Sequence, residues 1–499
     1  MASIIVDRIT TAGTTLECEV HPPRGLKRFF TGAPLTVEYG VDIDDVPPGI
    51  LAIPVLSQIC PVAWARGVDV SVETVDPTFA RALTDVEGTL CAMYDFMQGS
   101  TLYVRRPGDE SMPRGDSASV DRLVDPVAAD VEYPEENTIS ITGTGEYVSS
   151  DATSTATDTH PIDHPPTAGS SSGNNHDEGN CGLLFTGGVD STSSYVAHRE
   201  KDPILISIRG WTIRPDPVDD EKWAQLTKRV TRFGEKNDLD TAFVEANMLS
   251  FLDNPMLLSH YGHRVDGGWY SSVGHGLGLL GLCAPLCYAL GVDDLYVAAT
   301  HWDGIDLEWG SRPDIDDRVR WTGTQCHHDG YERTRQERLE LIAEYVRGEA
   351  PDLQLQTCNS RMDGNCGRCE KCYRTAVGLR LAGLEPSDHG YPFEDHEYEY
   401  LRRSFERGEW ILGEDERYMW EDIREYVDEF EPSTQAEREF VEWLRTVDLT
   451  ELVDDSGPPF SQRILRASAR NAPTGLYTVL YPAWKLAKAG YRKVGTRTT

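Results

Sequence analysis

Cys181–Phe185 (CGLLF) is an apolar run closed by Thr186-Gly187-Gly188, and residues of helical spacing follow to about Arg199. A short continuous apolar run of this kind reads as a strand buried on both faces. Two glycines let the backbone turn sharply out of it. The unit then recurs. Ile204–Ile208 (ILISI) and Thr241–Glu245 (TAFVE) read as strands with a helix over Glu221–Phe233 between them. Leu295–Ala299 (LYVAA) reads as a fourth strand after a buried helix, Gly276–Leu290. This alternation predicts an α/β fold, a doubly wound parallel sheet with helices on both faces. Ligands in such sheets bind beyond the carboxyl ends of the strands.

The chain has 499 residues, too many for one core. Residues 1–147 read as an N-terminal α+β domain. Its strands are Val68–Val75, Thr101–Val104 and Thr138–Ile141, and its helix is Pro77–Phe96, opened by Asp76. Residues 148–180 have no aromatic residue after Val148, and no Lys or Arg, so they read as an acidic disordered linker. The α/β domain covers 181–384, a helical, acidic extension rich in Tyr and Trp covers 385–460, and a basic tail covers 461–499.

The formal net charge is -35, with 82 acidic against 47 basic residues, and only nine of the 47 are Lys. A body this acidic repels phosphate backbones, which argues against broad nucleic-acid binding. High acid with scarce Lys resembles proteins of salt-loving organisms, where the charge is a solvated coat. The N-terminus lacks the basic-then-apolar pattern of a signal peptide, and no run reaches the ~18 apolar residues of a membrane span. A cytoplasmic protein is expected. Four of the 11 Cys cluster, which suggests metal or redox chemistry.

Strand, Thr186-Gly187-Gly188-Val189-Asp190-Ser191-Thr192, then helix: this order builds an anion cradle. The glycines admit close backbone approach, and the helix aims free N–H groups and its dipole at the ligand. Ser191 and Thr192 add hydroxyls, and Asp190 could cap the helix or handle Mg²⁺. The Lys of a Walker A loop is missing. The segment resembles the S-G-G-x-D-S signature of PP-loop ATP pyrophosphatases, with Thr186 in place of the first Ser. The resemblance implies a HUP-like fold that cleaves ATP between its α and β phosphates. It also implies adenine held by the backbone at Arg209-Gly210-Trp211.

Cys358, Cys366, Cys369 and Cys372 have the spacing C-x7-C-x2-C-x2-C, with Gly364 and Gly367 permitting tight turns. Four thiolates suit a closed, structural Zn²⁺ site, and an iron–sulfur cluster is the alternative. This segment, from Cys358-Asn359 to Gly383, resembles the zinc segment of 7-cyano-7-deazaguanine synthases. Those are PP-loop enzymes that adenylate a carboxylate and convert it, with ammonia, to a nitrile. The likeness spans about Cys181–Leu384, under half the chain.

His301 follows the fourth strand and is a candidate general base with a pKa near neutrality. Asp314, in a Pro-Asp pair, and Glu308 could bind an amine or Mg²⁺. With Asp190 and Ser191, His301 and Asp314 are the candidate catalytic residues. His327-His328-Asp329 reads as surface or supporting residues. Arg335 and Arg338 could neutralise phosphate. Gly274-His275-Gly276 could form a second anion site. The tail carries eight basic and no acidic residues; it suits an acidic partner, a membrane surface or the acidic body itself. The expected activity is ATP- and Mg²⁺-dependent adenylation of a small molecule for attack by a nitrogen or sulfur nucleophile. The alternatives are a regulatory or scaffold protein that binds ATP without turnover, and sulfur transfer to a nucleobase.

Overall fold

The computed structural model describes residues 3–105 and 180–452, apart from positions 266, 306, 409 and 411. The linker over 148–179, the strand expected at Thr138–Ile141 and the tail at 461–499 lie outside the described residues.

Eleven strands form one mixed, mostly parallel sheet. In chain order they are β1 (Ser3–Ala12), β2 (Thr15–His21), β3 (Leu35–Tyr39), β4 (Asp69–Val72), β5 (Leu102–Val104), β6 (Asn180–Leu184), β7 (Ile204–Arg209), β8 (Thr241–Ala246), β9 (Val292–Ala298), β10 (Arg320–Trp321) and β11 (Thr324–Asp329). Their order across the sheet is β10-β11-β9-β6-β7-β8-β3-β2-β1-β4-β5. The run β11-β9-β6-β7-β8 is parallel throughout. The chain steps outward from β6 to β7 and β8, then returns to the other side of β6 to lay down β9 and β11. The order therefore reverses between β6 and β9, the place where such sheets leave a crevice at their carboxyl ends.

The N-terminal strands continue the same sheet. β3 pairs antiparallel with β8, Val37 opposite Ala246 and Tyr39 opposite Val244. This covers an edge that would otherwise leave a row of unpaired N–H and C=O groups. The Tyr39 hydroxyl donates to the Leu282 carbonyl at 3.0 Å. The helices α1 (Ile53–Trp64) and α2 (Pro77–Met93) share one core with α5 (His275–Leu282). Asp76 opens α2 as read from the sequence, its carboxylate accepting from the Phe79 N–H at 2.9 Å.

The second core holds α3 (Val189–His198), α4 (Asp220–Asn237), α6 (Arg335–Gly348) and α7 (Glu370–Leu381). It also holds the C-terminal α8 (Asp395–Glu406), α9 (Glu414–Tyr426) and α10 (Gln435–Thr446). Neighbouring residues of β7 divide between the two cores, Leu205 in this one and Ile206 in the other. That alternation is what a strand buried on both faces requires.

The buried helix is longer than expected. It runs over Tyr270–Leu290, 21 residues, and opens with a π turn at Tyr270–Gly274. Among the described residues it is the one helix long and apolar enough to cross a membrane, and 83% of its apolar window is buried inside the protein. Gly274-His275-Gly276 lies within this helix, so the free N-terminus needed for a second anion site is not there.

Candidate functional site

The glycine turn leaves β6 at its carboxyl end and enters α3. Gly187 has φ +77, a left-handed conformation that favours glycine. Gly188 caps α3 with φ -80, an ordinary angle for any residue. Asp190 does not cap the helix. Its Oδ1 accepts from Arg335 Nη1 and from Arg338 Nη1, both at 3.1 Å. Burial works to raise the Asp190 pKa, but Arg335, Arg338 and Lys371 together outweigh it and hold the carboxyl below its usual range. Among the described residues nothing donates to its Oδ2, which leaves one oxygen for a cation. Thr186 is exposed at the turn. Ser191 Oγ accepts from the Thr186 N–H at 3.4 Å. Thr192 is 1% exposed, so its hydroxyl is not offered at the surface of the turn as expected.

Thr334 and Glu337 form a capping box that starts α6 and fixes the first-turn residues Arg335 and Arg338 against α3. Arg338 is 1% exposed; its Nη2 donates to the carbonyls of His301 at 2.7 Å and Gly330 at 3.1 Å. Two further basic side chains come from α7. Arg374 pairs with Glu370 at 3.2 Å. Lys371 lies within electrostatic reach of Asp190, Arg335 and Arg374, and burial is the first of the causes that push its pKa down. Arg229 of α4 donates to the carbonyls of Thr186 at 3.1 Å and Met362 at 2.9 Å. Arg229 thus bonds the turn, Arg335 and Arg338 bond Asp190, and Lys371 lies within electrostatic reach of Asp190 and Arg335, with Arg374 within reach of Lys371. This concentration of basic side chains stands out in a chain of net charge -35 and would favour an anion locally.

The four cysteines close against the same turn. Their sulfurs all lie within 4.8 Å of one another, Cys366 to Cys372 at 3.7 Å. Metal–sulfur bonds of about 2.3 Å in a tetrahedron place sulfurs about 3.8 Å apart, so the cluster could hold a metal such as zinc. Asn365 shapes the loop: its Oδ1 accepts from the Thr357 and Cys358 N–H groups at 3.0 and 3.1 Å.

The other predicted residues fall differently. Arg209 is buried, and its guanidinium is fully engaged with Glu245 at 3.0 Å, Asp220 and the Arg214 and Asp216 carbonyls. Its side chain braces the loop after β7. Asp314 is half-exposed; its carboxylate accepts from Arg312 at 3.1 Å and its carbonyl from Thr89 at 3.0 Å, and neither partner belongs to the turn. His301 is 6% exposed, and burial pushes its pKa down to about 4, so it is neutral at pH 7 and a weaker base than expected.

The carboxylate that the fold buries is not Asp314 but Asp316. Its Oδ2 accepts from Ser311 at 2.6 Å and bonds to His328 Nδ1 at 2.8 Å. His327 instead pairs with Asp294 at 2.6 Å and Asp329 with His198 at 2.8 Å. Consecutive residues of β11 point to alternate faces, which sets His328 apart from His327 and Asp329. Trp309 stands edge-on to His301 and to His275, with ring centroids 5.1 and 5.9 Å apart. The Trp309 Nε1, His301 Nε2 and His275 Nδ1 atoms are buried without hydrogen-bond partners among the described residues. Buried polar atoms in that condition call for a partner that the described residues do not supply, such as a water or a polar ligand.

The sequence reading missed Lys371, Arg374, Arg229 and Asp316. Lys371 carried a signal: it is the only lysine between Lys236 and Lys485. Arg229 carried none, because its role depends on contacts 43 and 133 residues away. No protein-family model matches the chain, and no curated protein matches it at the significance asked of a relative.

Proposed function

We propose that the chain is a PP-loop enzyme on a doubly wound, HUP-like sheet, binding ATP and Mg²⁺ at Thr186–Thr192 and adenylating a small molecule. A carboxylate or carbonyl oxygen of the substrate attacks the α phosphorus, the bond from that phosphorus to the α–β bridging oxygen breaks, and pyrophosphate leaves. A nitrogen or sulfur nucleophile then attacks the activated carbon and releases AMP. The observation that carries this reading is that Arg229 bonds the glycine turn at the carboxyl end of β6 while Arg335 and Arg338 bond Asp190 just after it, with Lys371 in electrostatic reach. They stabilise charge developing on the departing pyrophosphate.

Asp190 Oδ2 is the oxygen free to reach Mg²⁺, while Arg335 and Arg338 fix the carboxylate. Ser191 and the turn's N–H groups face the phosphates. Neutral His301, with Nε2 unpartnered, serves as a hydrogen-bond partner for the substrate. Zinc at Cys358, Cys366, Cys369 and Cys372 is structural, because four thiolates leave no open position. Sulfur transfer fits less well: Cys181, the cysteine nearest the turn in sequence, is 3% exposed and burial pushes its thiol up to about 11.

The test is a screen of small acids and amides for stimulated pyrophosphate release in the full chain. Release that rises with one substrate class supports the enzyme. ATP binding without release under any substrate favours the regulatory protein instead.

A further inference from the structure

We propose that Lys371 is the polyphosphate ligand of this chain, and that the four-cysteine loop builds the subsite in which it acts. The subsite lies between the glycine turn and the start of α7, and its ligand is pyrophosphate or the β and γ phosphates of a nucleoside triphosphate. This inference rests on the ATP reading above and assigns that reading a residue and a dependence on metal.

The first support is how sparingly this sequence uses lysine. Nine lysines stand in 499 residues, and Lys371 is alone between Lys236 and Lys485. Arginine serves elsewhere through that span. The exception lies between two of the four cysteines, Cys369 and Cys372. An ammonium is a compact point charge with three donors, suited to phosphate oxygens. The glycine turn has no lysine of its own.

The second support is what Lys371 touches. Arg335 and Arg338 are engaged by Asp190, and Arg374 by Glu370. The Lys371 ammonium forms no hydrogen bond and no ion pair among the described residues, although the residue is half-buried and within electrostatic reach of Asp190 and Arg335. A partly buried cation without a partner costs free energy that an anion in the subsite would offset.

The third support is mechanical. The backbone N–H of Gln356 donates to the Gly187 carbonyl at 2.8 Å. Its side-chain amide donates to the carbonyls of Cys358, Arg361 and Gly364 at 3.2, 2.9 and 3.2 Å. Arg229 ties Met362 to Thr186 in the same way. The cysteine loop and the glycine turn therefore move as one body. Loss of the metal frees the loop that leads into Lys371 at the start of α7, and with it the turn bonded to that loop.

The test uses the full chain and inorganic pyrophosphate, titrated by calorimetry, with metal content and melting temperature followed in parallel. Lys371→Met should weaken binding roughly ten- to hundred-fold, the worth of one charged hydrogen bond, with metal content unchanged. Lys371→Arg should keep part of the affinity, and Lys236→Met all of it. Stripping the metal should abolish binding. Lysine acylation read by mass spectrometry provides a measurement on the unaltered chain: pyrophosphate should protect Lys371, which decides the matter if Lys371→Met does not fold. Wild-type binding with full affinity in Lys371→Met, or with Lys371 labelled as freely as without ligand, overturns the role of Lys371 alone. A wild type that binds neither pyrophosphate nor ATP overturns the ATP reading and this inference together.

Discussion

Arg338 Nη1 lies 3.1 Å from Asp190 Oδ1, and the other terminal nitrogen of the same guanidinium reaches the His301 carbonyl at 2.7 Å. One side chain thus joins the first turn of α3 to the segment that follows β9, across the point where the strand order reverses. Asp190 is positioned from α6, a helix 145 residues further along the chain.

Arg338→Met should be strongly destabilising. It leaves the carbonyls of Thr300, His301 and Gly330 without this donor and removes one of two cations from Asp190. Breaking a buried pair from one side costs about 3–5 kcal/mol. Chemical denaturation in molar salt checks this, and a loss under about 1 kcal/mol would mean that Arg335 alone suffices to hold the carboxylate.

Purified protein should carry one zinc per chain. Cys369→Ser should lose it and melt at a lower temperature, because structural zinc contributes directly to folding free energy. Elemental analysis together with acid-labile sulfide decides the identity: iron with sulfide would replace zinc by a cluster.

Acid should destabilise the fold earlier than carboxylate protonation alone predicts. Burial pushes His275 down to about 3 and His301 to about 4, whereas both titrate near 6.5 when unfolded. Above pH 6.5 neither form takes up a proton, and no stability is lost. Below it the unfolded chain binds protons that the native one does not, so stability falls by about 1.4 kcal/mol per histidine per pH unit, until pH reaches about 4 for His301 and about 3 for His275. His275→Gln should flatten part of this slope in melts between pH 6.5 and 4; an unchanged slope would show that His275 is protonated in the folded chain.

Local pattern carried much of the fold. The strands at β6, β7, β8 and β9 were legible because each is built on a short, mostly apolar run bounded by polar or glycine residues. The pairing of β3 with β8 was not, since Leu35–Tyr39 shows alternation but nothing about its neighbour. The turn and the cysteines were legible as motifs. Their joining through Gln356 and Arg229 was not, because backbone carbonyls of distant loops leave no mark in sequence. His301 was read at its solution pKa, and only the packing of Trp309 and Arg338 around it shows a neutral ring.

The two glycines of the turn should separate stability from binding. Gly187 has φ +77, where a side chain costs about 1–2 kcal/mol, and an added Cβ would stand 3.4 Å from Arg229 Nε. Gly187→Ala should therefore lower the melting temperature, and it should loosen the arginine that ties the turn to the cysteine loop. Gly188 has φ -80, and a Cβ there would meet only the Gln356 carbonyl oxygen at 3.6 Å and Thr186 Oγ1 at 3.8 Å, ordinary contact distances. Gly188→Ala should fold and melt like the wild type. Its methyl nevertheless stands at the end of α3, where a phosphate must approach the N–H groups of the first turn. If the turn cradles ATP, calorimetry should show Gly188→Ala with weakened affinity at unchanged stability, and Gly188→Val with none. Equal ATP affinity in Gly188→Val and wild type would remove the turn from the binding site, whatever the fate of Gly187→Ala.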